Sequence, residues 1–248
     1  MWREGFAMIS GTSMAAPHIA GIAALIKQNN PHWSPSAIKS ALMTTASTLD
    51  RGGRPILAQQ YSSSGIMNFV QATPFDYGSG AVDPKAALDP GLVLDSSPVN
   101  VTDPPNSELF MSAAYEDYIK FLCSVPGADP QEISNITNSQ CNSTRSHPAD
   151  LNTPSITISH LEGTQTVKRR VTNIADTETY VMTAKMAPEI ALEVNPPAMT
   201  VLSGASRDFT ATLTVRSVTG EYSFGEIVMK GDKGHRVRIP VVAMGYRS

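Results

Sequence analysis

The sequence predicts an α/β segment over residues 1–95, a linking segment over 96–150 and an all-β sandwich over 151–248. Three observations carry that division. The run 14–27 is apolar on every side, the mark of a helix buried beneath a sheet. From residue 151 onward, period-two and β-branched runs alternate with Gly, Pro and Asn clusters at sandwich-like intervals. Between them lies a polar stretch, 96–114, broken by Pro98, Pro104 and Pro105 and without periodicity.

Taken in order, 6–9 reads as a short buried strand and 14–27 as the apolar helix, which Asn29-Asn30-Pro31 stops. Ser34 then serves as N-cap and Pro35 as first-turn proline of a second helix through Ile38, Ala41 and Leu42 to Ala46. Arg51-Gly52-Gly53-Arg54 is a turn. Asp76, Asp83, Asp89 and Asp95 invite a metal reading. Two of them precede proline, however, and their spacing fits no calcium loop, so they are assigned to turns and no metal or other cofactor is expected. The stretch 96–114 is expected to be a disordered insertion, and 115–123 a short helix. Strands are expected around 156–158, 166–172, 180–183, 209–215, 225–229 and 237–241.

Composition excludes several function classes. Charged residues make up 17% of the chain, and 19 basic against 22 acidic residues leave a net charge of −3 without a basic block. Nucleic acid and anionic membranes therefore have no electrostatic footprint here. No run approaches the ~18 apolar residues of a membrane span. The segment 14–26 imitates a signal-peptide core, but Pro17 and His18 interrupt it, so no signal peptide is expected. Asn100-Val101-Thr102, Asn135-Ile136-Thr137 and Asn142-Ser143-Thr144 are glycosylation acceptors, the first of them inside the irregular stretch. Cys123 and Cys141 bracket the second of these acceptors, and Cys141 directly precedes the third. By themselves they fit either a bridge or two free thiols.

The chemistry points to Ser10-Gly11-Thr12-Ser13-Met14-Ala15-Ala16-Pro17-His18. A serine hydroxyl becomes a useful nucleophile when it is held rigidly and exposed beside a base. A small-residue turn at a helix entrance offers close backbone approach, and its first-turn N–H groups are aimed at a developing oxyanion. This motif resembles the nucleophile motif of the subtilases, the subtilisin-type serine peptidases. Its flanks, Phe6-Ala7-Met8-Ile9 and Ile19-Ala20-Gly21, resemble the plant members. So do Trp33-Ser34-Pro35, Ile38-Lys39-Ser40-Ala41-Leu42, Thr44-Thr45-Ala46, Tyr77-Gly78-Ser79-Gly80-Ala81-Val82-Asp83-Pro84 and Ala87-Leu88-Asp89-Pro90-Gly91-Leu92. Asn152-Thr153-Pro154-Ser155-Ile156 and Val171-Thr172-Asn173 resemble the fibronectin III-like domain that ends those proteins. Two departures stand out: Ala81 where the family has His, and the insertion 96–114.

The resemblance implies a fold made of the C-terminal part of a subtilisin-like parallel-sheet catalytic domain followed by the β-sandwich. It implies peptide-bond hydrolysis through an acyl-enzyme on Ser13, with protein or peptide substrates. The Ser13 backbone N–H would be one oxyanion donor, with Thr12 as a buttress. It further implies a Cys123–Cys141 bridge, and secretion of the parent protein to the apoplast or cell wall. The family's chain order is Asp, His, Ser, among the known arrangements of the triad. Here neither His nor Asp precedes Ser13. The chain is therefore expected to be inactive alone, with its apolar helix lacking a sheet.

Downstream histidines do not fill the gap. His18 lies roughly 140° around and 7–8 Å along the helix from Ser13, so a packing role is expected for it. His32 reads as surface, and His147, His160 and His235 fall in loops or β-rich sequence. Gly11-Thr12-Ser13-Met14-Ala15 nearly matches the G-x-S-x-G elbow of α/β-hydrolases, but its fifth position is Ala and no strand–helix alternation follows. The alternative function is a non-catalytic secreted β-sandwich binding protein bearing a vestigial peptidase segment.

Overall fold

Small and apolar residues form the first elements of the chain. A computed structural model describes residues 9–95, 108–141 and 147–247, with 108–114 described by their backbone. Helix α1 is Thr12–Asn29 and helix α2 is Pro35–Thr44. Ser34 caps α2, its hydroxyl accepting the Ala37 N–H at 2.9 Å, and Pro35 takes the first turn, where no N–H is needed. A hairpin of β1, Leu57–Tyr61, and β2, Met67–Gln71, follows. Short helices α3, Pro74–Tyr77, and α4, Pro84–Leu88, lead to β3, Leu92–Val93. Of the strand expected over 6–9, Ile9 alone is described; it lies outside any strand and is exposed.

The linking segment carries more helix than its sequence suggests. Helix α5 runs Glu108–Ser124, so the disordered insertion expected over 96–114 is corrected from Glu108 onward. The reason is local: all three prolines lie before that point, and Glu-Leu-Phe-Met-Ser-Ala-Ala are competent helix formers. Residues 96–107 lie outside the described residues. Helix α6, Pro130–Thr137, is an additional element. Asp129 caps it by accepting the Gln131 N–H at 2.8 Å, and Asn138 closes it with φ +53°.

Eight further strands build the sandwich: β4 Ile156–Glu162, β5 Thr164–Asn173, β6 Glu178–Met186, β7 Ile190–Asn195, β8 Ala198–Val201, β9 Ser206–Val215, β10 Ser223–Gly231 and β11 Arg236–Tyr246. One sheet has the order β4-β11-β10-β6-β8 and the other β3-β5-β9-β7. Pairing is antiparallel except between β4 and β11. Alternation sends Val167 and Val171 of β5, and Phe209, Ala211 and Leu213 of β9, into the core between the sheets. They meet Ile227 and Met229 of β10 and Ile239 and Val241 of β11. Strand β11 is buried on both faces because α2 packs on its outer side.

The sandwich is also fed from earlier in the chain. Strand β3 pairs antiparallel with β5, Leu92 opposite Asn173, and Leu92 and Leu94 lie fully buried in the common core. The two parts meet at further points. Asp95 accepts from the Ser34 hydroxyl at 2.5 Å and from Ser36, while Asn152 Nδ2 donates to the Asp95 carbonyl at 2.6 Å. Arg238, buried on β11, donates to the Ser79 carbonyl at 2.9 Å and to Glu226. Phe75 of α3 meets Tyr222 and Phe224 edge-on, at 5.1 and 5.4 Å between ring centroids.

Candidate active site

Gly11 is the residue that turns the chain into α1, with φ +153°, inside the range that disfavours any side chain. Thr12 and Ser13 are the first two helical residues. The intrahelical bonds begin after them, with Met14 N–H and Ala15 N–H both donating to the Gly11 carbonyl at 3.0 and 3.1 Å. The Thr12 and Ser13 N–H groups thus belong to the helix-entrance set that intrahelical carbonyls do not satisfy. The N-cap residue, Gly11, has no side chain to cap this end, and no acidic residue sits in the first turn. The positive end of the helix dipole is therefore left for an incoming oxygen. Ser13 itself is exposed, and among the described residues its hydroxyl has no hydrogen-bond partner.

Around this point the structure brings together no second member of a triad from the described residues. His18 turns its Nδ1 to the Met14 carbonyl at 2.6 Å and is exposed, so the packing role expected for it is corrected: it bonds its own helix instead. His32 is exposed. The His147 Nδ1 accepts the Ala149 N–H at 3.0 Å as the cap of a short 3₁₀ turn, Pro148–Asp150. His160 lies beside Glu162 and the Tyr246 ring on the sandwich. His235 is held between Glu178 and Asp89, also on the sandwich. Two of the four acidic residues assigned to turns do turn chemistry, whereas the Asp95 carboxylate accepts from the distant Ser34 and Ser36 hydroxyls and Asp89 faces His235. Asp76 closes a capping box with Thr73, and Asp83 accepts the Lys85 and Ala86 N–H groups at 3.0 Å each.

Helix α1 stands exposed along most of its length, with Ile26 as its buried residue, although its sequence is that of an interior helix. It packs on α2 and α4. Between α1 and α2 runs an open apolar groove of about 740 Å³, lined by Ile19, Ala23, Trp33, Ile38, Leu42 and Val82 among others. Ser79 borders this groove, its buried Oγ without a partner among the described residues. Sequence reasoning missed both the groove and the Arg238–Ser79 link. Neither has a local signature, since the partners are far apart in the chain.

The remaining predicted positions fall in the linking segment. Cys123 on α5 and Cys141 are joined, with Cα atoms 5.6 Å apart. Asn135 sits exposed on α6, while Asn100 and Asn142 lie outside the described residues. Among the described residues no helix is long and apolar enough to cross a membrane, and no three His, Cys, Asp or Glu residues are grouped to hold a metal ion.

Comparison with known proteins agrees with this geometry at both ends of the chain. The Subtilase family matches residues 1–80, and the fibronectin type-III domain matches residues 150–243. Subtilisin-like protease SBT2.6 of Arabidopsis thaliana is 62% identical over 98% of the chain, and Subtilisin-like protease SBT2.5 of the same plant is 60% identical over 98%. Subtilisin-like protease SBT2.3 is 44% identical over 97%. The chain spans 28% of the length of the first two relatives and 27% of the third. With the Subtilase match at one end, a fibronectin III-like sandwich at the other and this identity between them, the chain belongs to the subtilase family of subtilisin-like serine proteases, plant type.

Proposed function

We propose that Ser13 is the nucleophile of a secreted endopeptidase, working in a longer protein that supplies the imidazole base and the carboxylate that orients it. The observation that carries this reading is the placement of Ser13: exposed, in the first turn of α1, behind a glycine and at an uncapped helix entrance. The Ser13 oxygen attacks the scissile carbonyl carbon while its proton passes to the imidazole. The tetrahedral oxyanion is met by the Ser13 N–H, with Thr12 buttressing the turn. Collapse releases the amine with that proton and leaves an acyl ester on Ser13, which water then hydrolyses. Protein and peptide substrates follow from the family. The Cys123–Cys141 bridge and the exposed acceptor Asn135 support an extracellular, glycosylated protein.

The test is labelling of the full-length protein with a fluorophosphonate, followed by peptide mapping. The label is expected on Ser13, and Ser13→Ala is expected to abolish turnover. In subtilisin, loss of the nucleophilic serine costs on the order of 10⁶ in kcat. A label on another serine would overturn the assignment. A full-length protein that takes no label would favour the binding-module reading. Residues 1–248 alone are expected to hydrolyse no peptide, since one nucleophile and part of an oxyanion site do not make a cleft. Ser13-dependent hydrolysis by that chain would refute this part of the reading.

A further inference from the structure

A close group of titratable side chains outside the Ser13 region lies where the loop after α4 crosses the sandwich. His235, in the turn before β11, places Nδ1 2.5 Å from the Glu178 carboxylate and Nε2 3.1 Å from that of Asp89. Glu178 is fully buried and also accepts from the Tyr180 hydroxyl at 2.7 Å and from the Lys233 N–H at 2.8 Å. Its carboxylate is therefore saturated by donors and fixed in place. The backbone is equally tight. The Gly91 carbonyl accepts the Ile174 N–H at 3.0 Å, and Gly91 lies so close to His235 and Tyr180 that a Cβ there would come within 2.6 Å of both. One imidazole thus joins the 89–91 loop, which leads into β3, to the base of β6.

We propose that His235 is a protonation-operated clasp between the 89–91 loop and the sandwich, closed in acidic medium and released as the ring loses its second proton. The ring lies between two carboxylates, so both its nitrogens must donate for both contacts to hold. A neutral ring carries one N–H. Buried Glu178 retains it through Nδ1, which turns the Nε2 lone pair toward Asp89 and makes that contact repulsive. The other groups around the ring do not replace the lost donor. Tyr180 already donates to Glu178, Asp232 accepts the Thr179 N–H at 3.1 Å, and the Lys233 ammonium faces Asp176 at 3.8 Å. Arg236, the next residue on β11, is exposed.

The electrostatics run in the same direction. Burial pulls the imidazole down, but its hydrogen bonds to Glu178 and Asp89 and their charges carry it above its ordinary value of 6.5. Burial likewise pushes the Glu178 carboxyl up, and donors from Tyr180, His235 and Lys233 bring it below its ordinary value, so it stays charged. A raised histidine contributes stability that is complete below its unfolded value and disappears as pH rises through its folded value. The Asp89 side chain is 73% exposed, so the outer contact is screened by salt and the effect is correspondingly modest.

The clasp owes nothing to Ser13, and it is tested on the 248-residue chain by NMR. The His235 ring is expected to titrate above the ordinary histidine range, and Asp89→Asn to lower its midpoint. Exchange of the Ile174 amide, corrected for intrinsic rate, is expected to rise about three- to tenfold as the ring deprotonates, the scale of one partly screened charge-assisted bond. In His235→Gln that exchange is expected to be fast and indifferent to pH across the same window. A wild-type ring titrating at or below the ordinary value, or Ile174 exchange that ignores the titration of the ring, would overturn the clasp. Asp89 is exposed and its replacement isosteric, so its variant keeps the fold, and the wild-type titration is decisive without any variant.

Discussion

Gly91→Ala tests the close approach of the 89–91 loop to the sandwich. Gly91 has φ +73°, where any Cβ is strained by about 1–2 kcal/mol. Its added methyl would lie 2.6 Å from both His235 Cγ and the Tyr180 hydroxyl, and 2.7 Å from His235 Cβ. Neither neighbour can retreat easily, because Tyr180 is fully buried with its hydroxyl on Glu178, and His235 is held at both nitrogens. Overpacking of that kind costs about 1–3 kcal/mol more, for a total of about 2–5 kcal/mol. Gly204→Ala is the matched control. Its φ is +71°, in the turn between β8 and β9 of the same sandwich, and a Cβ there meets nothing within 4 Å. That variant should lose the conformational part alone, about 1–2 kcal/mol. Urea unfolding of the 248-residue chain, followed by the circular dichroism of the sandwich, measures both variants. The midpoint of Gly91→Ala is expected below that of Gly204→Ala at unchanged m-value. Equal midpoints would show that the loop stands off the sandwich and would refute the close approach.

Two further outcomes follow from the same architecture. A protein of residues 150–248 lacks Leu92 and Leu94, both fully buried in the sandwich core. It is expected to be less stable than residues 89–248 by about 3–6 kcal/mol, counting about 1.5–3 kcal/mol for each leucine; equal stabilities would show that β3 is dispensable. Cys123 and Cys141, 18 positions apart, close a loop around α6, and the bridge is worth about 3 kcal/mol to that unit on chain-entropy grounds. Non-reducing peptide mapping of secreted protein is expected to find the two joined, and Cys141→Ser to loosen α5 against α6 while leaving the sandwich transition in place. Two alkylatable thiols would contradict this.

Much of this protein is legible one residue at a time, where the determining interactions are local. The Ser34-Pro35 start of α2 is a hydrogen bond and a fixed φ within three residues, so sequence predicts it directly. The longer sandwich strands announce themselves because each presents one face to a core and one to solvent, as Val167, Val171, Phe209 and Leu213 show. Ser13 on its turn is legible for the same reason: glycine, hydroxyl and helix entrance are consecutive. Elements without that contrast were missed. The β1–β2 hairpin is exposed on most positions of both strands and so has no alternation to read, while β7 and β8 are short and separated only by Pro196 and Pro197. Strand β3 is two residues long and exists through pairing with a strand some eighty positions away. Arg169, inside the strand expected over 166–172, is buried with its guanidinium on the Thr153, Lys168 and Ser155 carbonyls, and burial lowers its pKa to about 10. Asp89, Glu178 and His235 likewise become one cluster only when three distant turns converge. Sequence alone determined what each segment does with its own neighbours, because caps, turns and periodicity act over a few residues. Which segments meet, and hence which charges share a site, was decided by tertiary packing, where burial and hydrogen bonding reward contacts that no local pattern encodes.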